Sequence, residues 1–219
     1  VDVMERVVQP LVGDMISALI GVPLVVADSS YISRVFSQSI GVSKRRKLEV
    51  ELRALHDSLQ ATFPEADAVA IGLKMSLAIL GRDALMGTLG CSLHHLFAGA
   101  QGKRLDQVVW PALPTRTGVP YIDRVALCPV SVAGTLHDAG AVLRADLARL
   151  NESDDPRAAM SFFGAGAHLC LGRALALDLW KAMMRWLGGA GTKVSVVHYA
   201  LRRDDVFHIP ETFLVEVLA

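Results

Sequence analysis

The twelve residues Phe162 to Arg173 read F-F-G-A-G-A-H-L-C-L-G-R, and Phe163, Gly164, Gly166, His168, Cys170 and Gly172 among them form F-G-x-G-x-H-x-C-x-G. At average residue usage such a pattern arises by chance on the order of once per million chains of this length. Glycines ahead of Cys170 carry no side chain, so the backbone there can turn tightly and approach a flat ligand closely. Beyond Gly172, Leu175, Leu179, Met183 and Trp186 recur at helical spacing and Gly188-Gly189 supplies a stop, which predicts a helix over about 171–187. A cysteine placed just ahead of a helix lies near its positive end, which favours the thiolate. Taken alone, Cys170 also has a plainer reading as an inert core thiol, because free cysteine is among the most buried residue types.

At 219 residues and 52% hydrophobic, the chain can bury one sizeable core, so a single domain over residues 1–219 is expected. Basic and acidic residues number 22 each and the pI is near 7.2, so no global field draws the chain to nucleic acid or to an anionic membrane. The three cysteines, Cys91, Cys128 and Cys170, have no framework spacing and suit a reducing compartment. The start, V-D-V-M-E-R-V-V-Q-P, has neither the basic residues nor the apolar stretch of an export signal. The most apolar long segment, Ala66 to Phe97, carries Asp67, Lys74, Arg82, Asp83, His94 and His95, too many polar groups for a bilayer span. A cytoplasmic protein is expected.

Residues 3–20 place Val8, Val12, Met15, Ile16 and Leu19 on one helical face before Gly21-Val22-Pro23 breaks the pattern. Residues 29–60 read as two short helices, with the charge run Ser43 to Lys47 as a solvated helix start or loop. Thr62-x-x-Glu65 has the form of a capping box with Pro64 in the first turn, opening a long central helix over about 63–97. Pro111 and Pro114 end or prevent a helix in the stretch from Leu105 to Thr115. Residues 119–126 and Val130 to Ala133 read as strands, and the segment from Tyr199 as a hairpin. Cys91 to His95, C-S-L-H-H, has a single C-x-x-H without a second ligand pair and reads as packing rather than a metal site. Gly164-x-Gly166 lacks the third glycine of a dinucleotide loop.

The cysteine loop resembles that of the cytochrome P-450 family. P-L-V-G-D-M-I-S-A-L-I-G-V-P, Pro10 to Pro23, is similar to the family's helix ending in L-L-G-V-P, and A-I-L-G-R-D-A, Ala78 to Ala84, stands where the family shows A-G-x-D/E-T. The resemblance implies a mainly α fold with a small β component, in a truncated, compact form without the family's N-terminal portion. It implies haem b with Cys170 as the axial thiolate and only metal ligand, and Phe163, Gly164, Gly166 and Gly172 shaping the loop. His168 and Arg124 match the residues that hold the haem propionates, Gly81 leaves room for dioxygen, and Asp83 matches the acidic residue of the proton-delivery pair.

Two departures stand out: Ala84 replaces the usual threonine, and no E-x-x-R occurs, the stretch from Leu105 to Thr115 standing in its place. The implied activity is a monooxygenase or related oxidoreductase acting on a small organic molecule, served by a ferredoxin-type redox partner or by peroxide. The alternative is an inactive P-450-like scaffold that works by contact, as a glycosyltransferase helper does. The third possibility is that the chain is one part of a larger molecule, through truncation or through a protein partner that supplies or covers the N-terminal region.

Overall fold

Met4, Val8, Val12, Ile16 and Ile20 recur every fourth residue and are all buried, so the first segment folds as one rod: a wide π turn at Met4–Val8 continues into α1, Gln9–Ile20. The computed structural model describes residues 1–24, 32–153, 155–203 and 205–218. Gly21, at φ 81°, ends α1 in the left-handed region, as the Gly-Val-Pro break requires. Packing follows the i±4 ridge, and that corrects the expected face: Leu19 lies off the ridge and is exposed, while Met15 is half-buried.

The two short helices expected over 29–60 are instead a 3₁₀ turn, Ile32–Phe36, and one long helix α2, Val42–Thr62; residues 29–31 lie outside the described ones. Ser43 to Lys47 does form a solvated helix start. Arg45 folds back from it to donate to the Val35 and Ser37 carbonyls at 2.6 and 2.7 Å.

The central helix is present with shifted bounds: α3, Ala68–Ser76, a π turn at Leu77–Gly81, and α4, Arg82–Gly99, run on without a break. Its cap is not the expected box. Thr62 closes α2, its hydroxyl donating to the Ser58 carbonyl, whereas the Asp67 carboxylate accepts from the Ala70 N–H at 2.8 Å.

The strands form three antiparallel pairs. β1, Tyr121–Val125, pairs with β4, Val142–Asp146; β2, Val130–Val132, pairs with β3, Thr135–His137. The C-terminal hairpin, β5 at Lys193–Arg203 and β6 at His208–Leu218, begins six residues before the expected Tyr199. Helix α5 is short, Pro156–Ser161, and α6 spans Arg173–Gly188, close to its expected range. Between Leu105 and Thr115 only the turn Leu105–Gln107 is helical, as the two prolines dictate.

The core lies between α1, α4, α6 and the hairpin, around Met86, Leu89, Leu93, Trp180, Ile209 and Phe213. Trp180 is the fully buried tryptophan of α6, whereas Trp186 is 65% exposed. Backbones meet directly at one point. A Cβ on Gly118 would stand 2.6 Å from the Gly87 Cα, and one on Gly87 would stand 2.6 Å from the His208 carbonyl oxygen. Only hydrogen fits there, and this close approach fixes residues 117–119 against α4, beside the site described next.

Candidate functional site

The cysteine loop is built by positive-φ glycines and one short hydrogen bond. Gly164 and Gly166 adopt φ 70° and 58°, and a Cβ on Gly164 would come 2.7 Å from the His168 carbonyl oxygen. A 3₁₀ turn, Gly166–His168, follows, and the Cys170 N–H then donates to the Phe163 carbonyl at 2.7 Å, closing the loop on itself. The Cys170 carbonyl accepts from Arg173 N–H at 3.2 Å, where α6 starts. Cys170 is thus held three residues ahead of a sixteen-residue helix, close to its unpaired N–H groups, and its side chain is exposed.

That side chain lines a cavity of about 380 Å³. One wall is the cysteine loop and the start of α6, with Phe163, Cys170, Leu171, Gly172, Leu175 and Ala176. The opposite wall is the long helix at its π turn, with Leu77, Leu80, Gly81, Ala84 and Thr88. Met15 and Ile16 of α1, and Thr117 and Val119, also line it. A π turn adds a residue to the helical circuit and re-aims the face that follows, which is why such turns gather at functional sites. Here it brings Leu80, Gly81 and Ala84 onto the cavity. A Cβ on Gly81 would meet only Leu77 Cδ2, at 3.8 Å, so the space above it is open.

Of the residues singled out in the sequence, Gly81, Ala84, Phe163, Cys170 and Gly172 line this one cavity. Gly164 and Gly166 shape the loop without lining it; Gly164 borders a separate hollow with Met160, Ser161, Leu169 and Arg173. His168 and Arg124 are exposed and line no part of the cavity, and Arg124 donates to the carbonyl of its neighbour Asp123 at 2.9 Å.

Asp83 is fully buried but turned away. Its Oδ2 accepts from the Ser33 hydroxyl at 2.6 Å and the Ser33 N–H at 3.2 Å, and Oδ1 lies 3.4 Å from Arg82 Nη1. Burial raises the Asp83 carboxyl above its ordinary 3.8, against the opposing pull of Arg82 and the Ser33 bonds. The folded chain therefore holds this proton more tightly than the unfolded chain. Stability contributed by Asp83 falls as pH rises from the ordinary value through the raised one, and returns as pH drops. Melting temperatures across that range should show Asp83→Asn gaining on the natural protein as pH rises; a gain as pH falls would mean that the ionised form is the one the fold favours.

Thr88, Thr117 and Val119 are lining residues that the sequence reading missed. Thr88 lies one turn beyond Ala84, so helical spacing could have found it. Thr117 and Val119 arrive through the Gly87–Gly118 contact, which leaves no periodic trace. Thr88 Oγ1 accepts from Gly118 N–H at 3.2 Å and Thr117 Oγ1 from Val119 N–H at 3.0 Å, and with Ser76 they are the three hydroxyl residues that line the apolar cavity.

Cys91 and His94 take part in packing: the Tyr199 hydroxyl donates to Cys91 Sγ at 3.7 Å, and the rings of His94 and Tyr199 stack at 3.5 Å. Burial pushes the Cys91 thiol up to about 11. Among the described residues no cluster of three or more His, Cys, Asp or Glu could hold a metal ion, and no helix is long and apolar enough to cross a membrane.

A lone thiol on a glycine-rich loop faces small residues across an apolar cleft, an arrangement that fits a flat macrocycle carrying its own metal and needing one sulfur from the protein. Small-molecule and cofactor cavities commonly measure about 300–1,000 Å³, a range that includes this one.

No protein-family model and no curated protein matches the sequence. Solved structures do match. The crystal structure of CalO2 aligns with a TM-score of 0.76 at 15% identity, over 98% of this chain and 67% of that one. The cytochrome P450 CYP109B1 from Bacillus subtilis aligns with a TM-score of 0.74 at 16% identity, over 99% of this chain and 72% of that one. A thermophilic cytochrome P450 from Sulfolobus tokodaii gives 0.69 at 20% identity, over 99% and 69%. The chain therefore has a cytochrome P450-like fold, helix-rich with small sheets. It spans about two thirds of the length of these structures.

Proposed function

We propose that the protein is a haem-thiolate protein in which the Cys170 sulfur would hold the haem iron, and that it oxidises a small, largely apolar molecule. The observation that carries this reading is the placement of Cys170 in one cavity with Gly81 and Ala84 of the long helix, across from the π turn. Haem held there by a thiolate would supply one-electron and dioxygen or peroxide chemistry.

The chain's own residues do the rest. The backbone bond from Cys170 N–H to the Phe163 carbonyl shapes the loop that carries the sulfur, and Phe163 is the proposed cover for one face of it. Gly81 and Ala84 leave room beside it, and Leu77, Leu80 and Leu85 offer an apolar substrate an aliphatic wall. Arg124 and His168 are the proposed partners of the two propionates. As exposed side chains they can rotate to meet carboxylates, a guanidinium being suited to bidentate pairing. Asp83 is proposed to move protons, which requires its bond to Ser33 to open. Ala84 has no hydroxyl to offer, so a substrate hydroxyl or water fills that place. Electrons come from a ferredoxin-type partner, or peroxide serves directly.

Ala84 and the proline-interrupted stretch from Leu105 to Thr115 favour a second reading, an inactive scaffold that acts through a protein partner. Haem titration followed by gel filtration separates the two. The enzyme reading expects one equivalent of haem to elute with the protein, whereas a colourless protein peak favours the scaffold.

A further inference from the structure

We propose that the cavity beside Cys170 takes a neutral, apolar molecule bearing a carbonyl group, whose oxygen accepts hydrogen bonds from the hydroxyls of Thr88 and Thr117. This names a substrate class and rests on the reading of that cavity as the place where the substrate lies.

Two unused donors carry the inference. A threonine hydroxyl can donate one hydrogen bond as well as accept. Thr88 Oγ1 accepts from the Gly118 N–H and Thr117 Oγ1 from the Val119 N–H, yet neither hydroxyl donates to an acceptor among the described residues. Ser76, the third hydroxyl residue of the lining, differs: it donates to the Gly72 carbonyl at 2.9 Å. Thr117 is only 3% exposed, and a buried donor left without an acceptor is costly, so a ligand that supplies the acceptor gains from it.

The backbone holds both oxygens in place. Gly118 and Val119 supply consecutive N–H groups, so the two hydroxyls flank one short stretch of chain. The Gly87–Gly118 contact fixes that stretch to α4. Asn151 brackets Thr117 from the other side, its Oδ1 accepting from the Thr117 N–H at 2.8 Å and its Nδ2 donating to the Thr117 carbonyl at 3.4 Å. Each hydroxyl oxygen is thus tied to an amide, and its proton is left to turn toward a ligand. A few fixed polar groups in an otherwise apolar cavity are what orient a bound small molecule.

The chemistry of the lining then selects the ligand. Among the described residues no charged side chain lines the cavity, so a carboxylate or an ammonium would leave water without a counter-charge. A carbonyl oxygen has two lone pairs and no proton, which matches two donors. The rest of the molecule meets Met15, Leu77, Leu80 and Leu85 and must be apolar.

The test titrates the full chain, as purified, with three ketones of different shape, acetophenone, benzylacetone and cyclooctanone, and with their parent hydrocarbons ethylbenzene, butylbenzene and cyclooctane. Calorimetry should show at least one ketone binding more tightly than its hydrocarbon. In Thr88→Val and in Thr117→Val that ketone should bind about fivefold more weakly while the hydrocarbon keeps its affinity, which also shows the cavity intact. Thr88→Ser and Thr117→Ser retain the hydroxyl and should retain the preference. Infrared spectra of the ketone with an isotopically labelled carbonyl should show its stretching frequency lowered on binding to the natural protein, and less so in either valine variant. No ketone preferred over its hydrocarbon, a carbonyl frequency that does not fall on binding, or a preference that neither valine variant reduces overturns the proposal. None of these readouts depends on haem: a colourless protein that shows them refutes the haem reading alone, and a haem-loaded protein that lacks them refutes this proposal alone.

Discussion

Cys170→Ala abolishes the thiolate-type Soret band of the reduced, carbon-monoxide-bound protein and leaves the fold intact. The two halves of this expectation come from different atoms. The side chain is exposed and lines the cavity, so its loss removes the proposed ligand without opening a hole in the core. The bond that shapes the loop, from the Cys170 N–H to the Phe163 carbonyl, belongs to the backbone and survives the change. Surface substitutions of this kind shift stability by no more than about 0.5 kcal/mol. Absorption spectroscopy reads the first half and thermal melting of the haem-free protein the second. If the variant keeps the band, another group binds the metal; if it unfolds, Cys170 is a structural residue and the plainer reading of the motif stands.

Trp180→Ala is expected to lower the unfolding free energy by about 3–5 kcal/mol, a large part of a typical domain's total. Trp180 is fully buried in the middle of α6, and its indole N–H donates to the Pro111 carbonyl at 2.9 Å. Alanine there leaves a cavity and strips that carbonyl of its donor. Trp180→Phe keeps most of the buried ring and should lose nearer to about 1 kcal/mol, the usual net worth of one hydrogen bond. Urea denaturation of the two variants tests the pair. Equal losses would mean that the bond to Pro111, and not the volume of the ring, ties α6 to the stretch from Leu105 to Thr115.

This distribution of effects explains how much could be seen in the sequence. The cysteine loop was legible because glycine and cysteine at fixed spacing have few alternative uses: Gly164 does need its positive φ, and α6 does begin just past Gly172. The long helix was legible from its apolar period, but its start was not. Thr62 and Asp67 both satisfy the local chemistry of a cap, and the choice between them depends on where α2 ends. Leu175, Leu179, Met183 and Trp186 carry the helical period that marks α6, but of these only Met183 is buried, and Trp180, off that series, takes the core. The π turn at Leu77–Gly81 has no sequence signature, yet it decides which side chains meet Cys170. Thr117 depends on two glycines thirty-one residues apart, Gly87 and Gly118, touching through their backbones.

The sulfur–iron bond is the claim on which the functional account rests, and the absorption spectrum of the haem-loaded protein, reduced under carbon monoxide, tests it most directly. The account predicts a Soret band at the thiolate position. A band at the imidazole-type position, or no bound pigment at all, contradicts it.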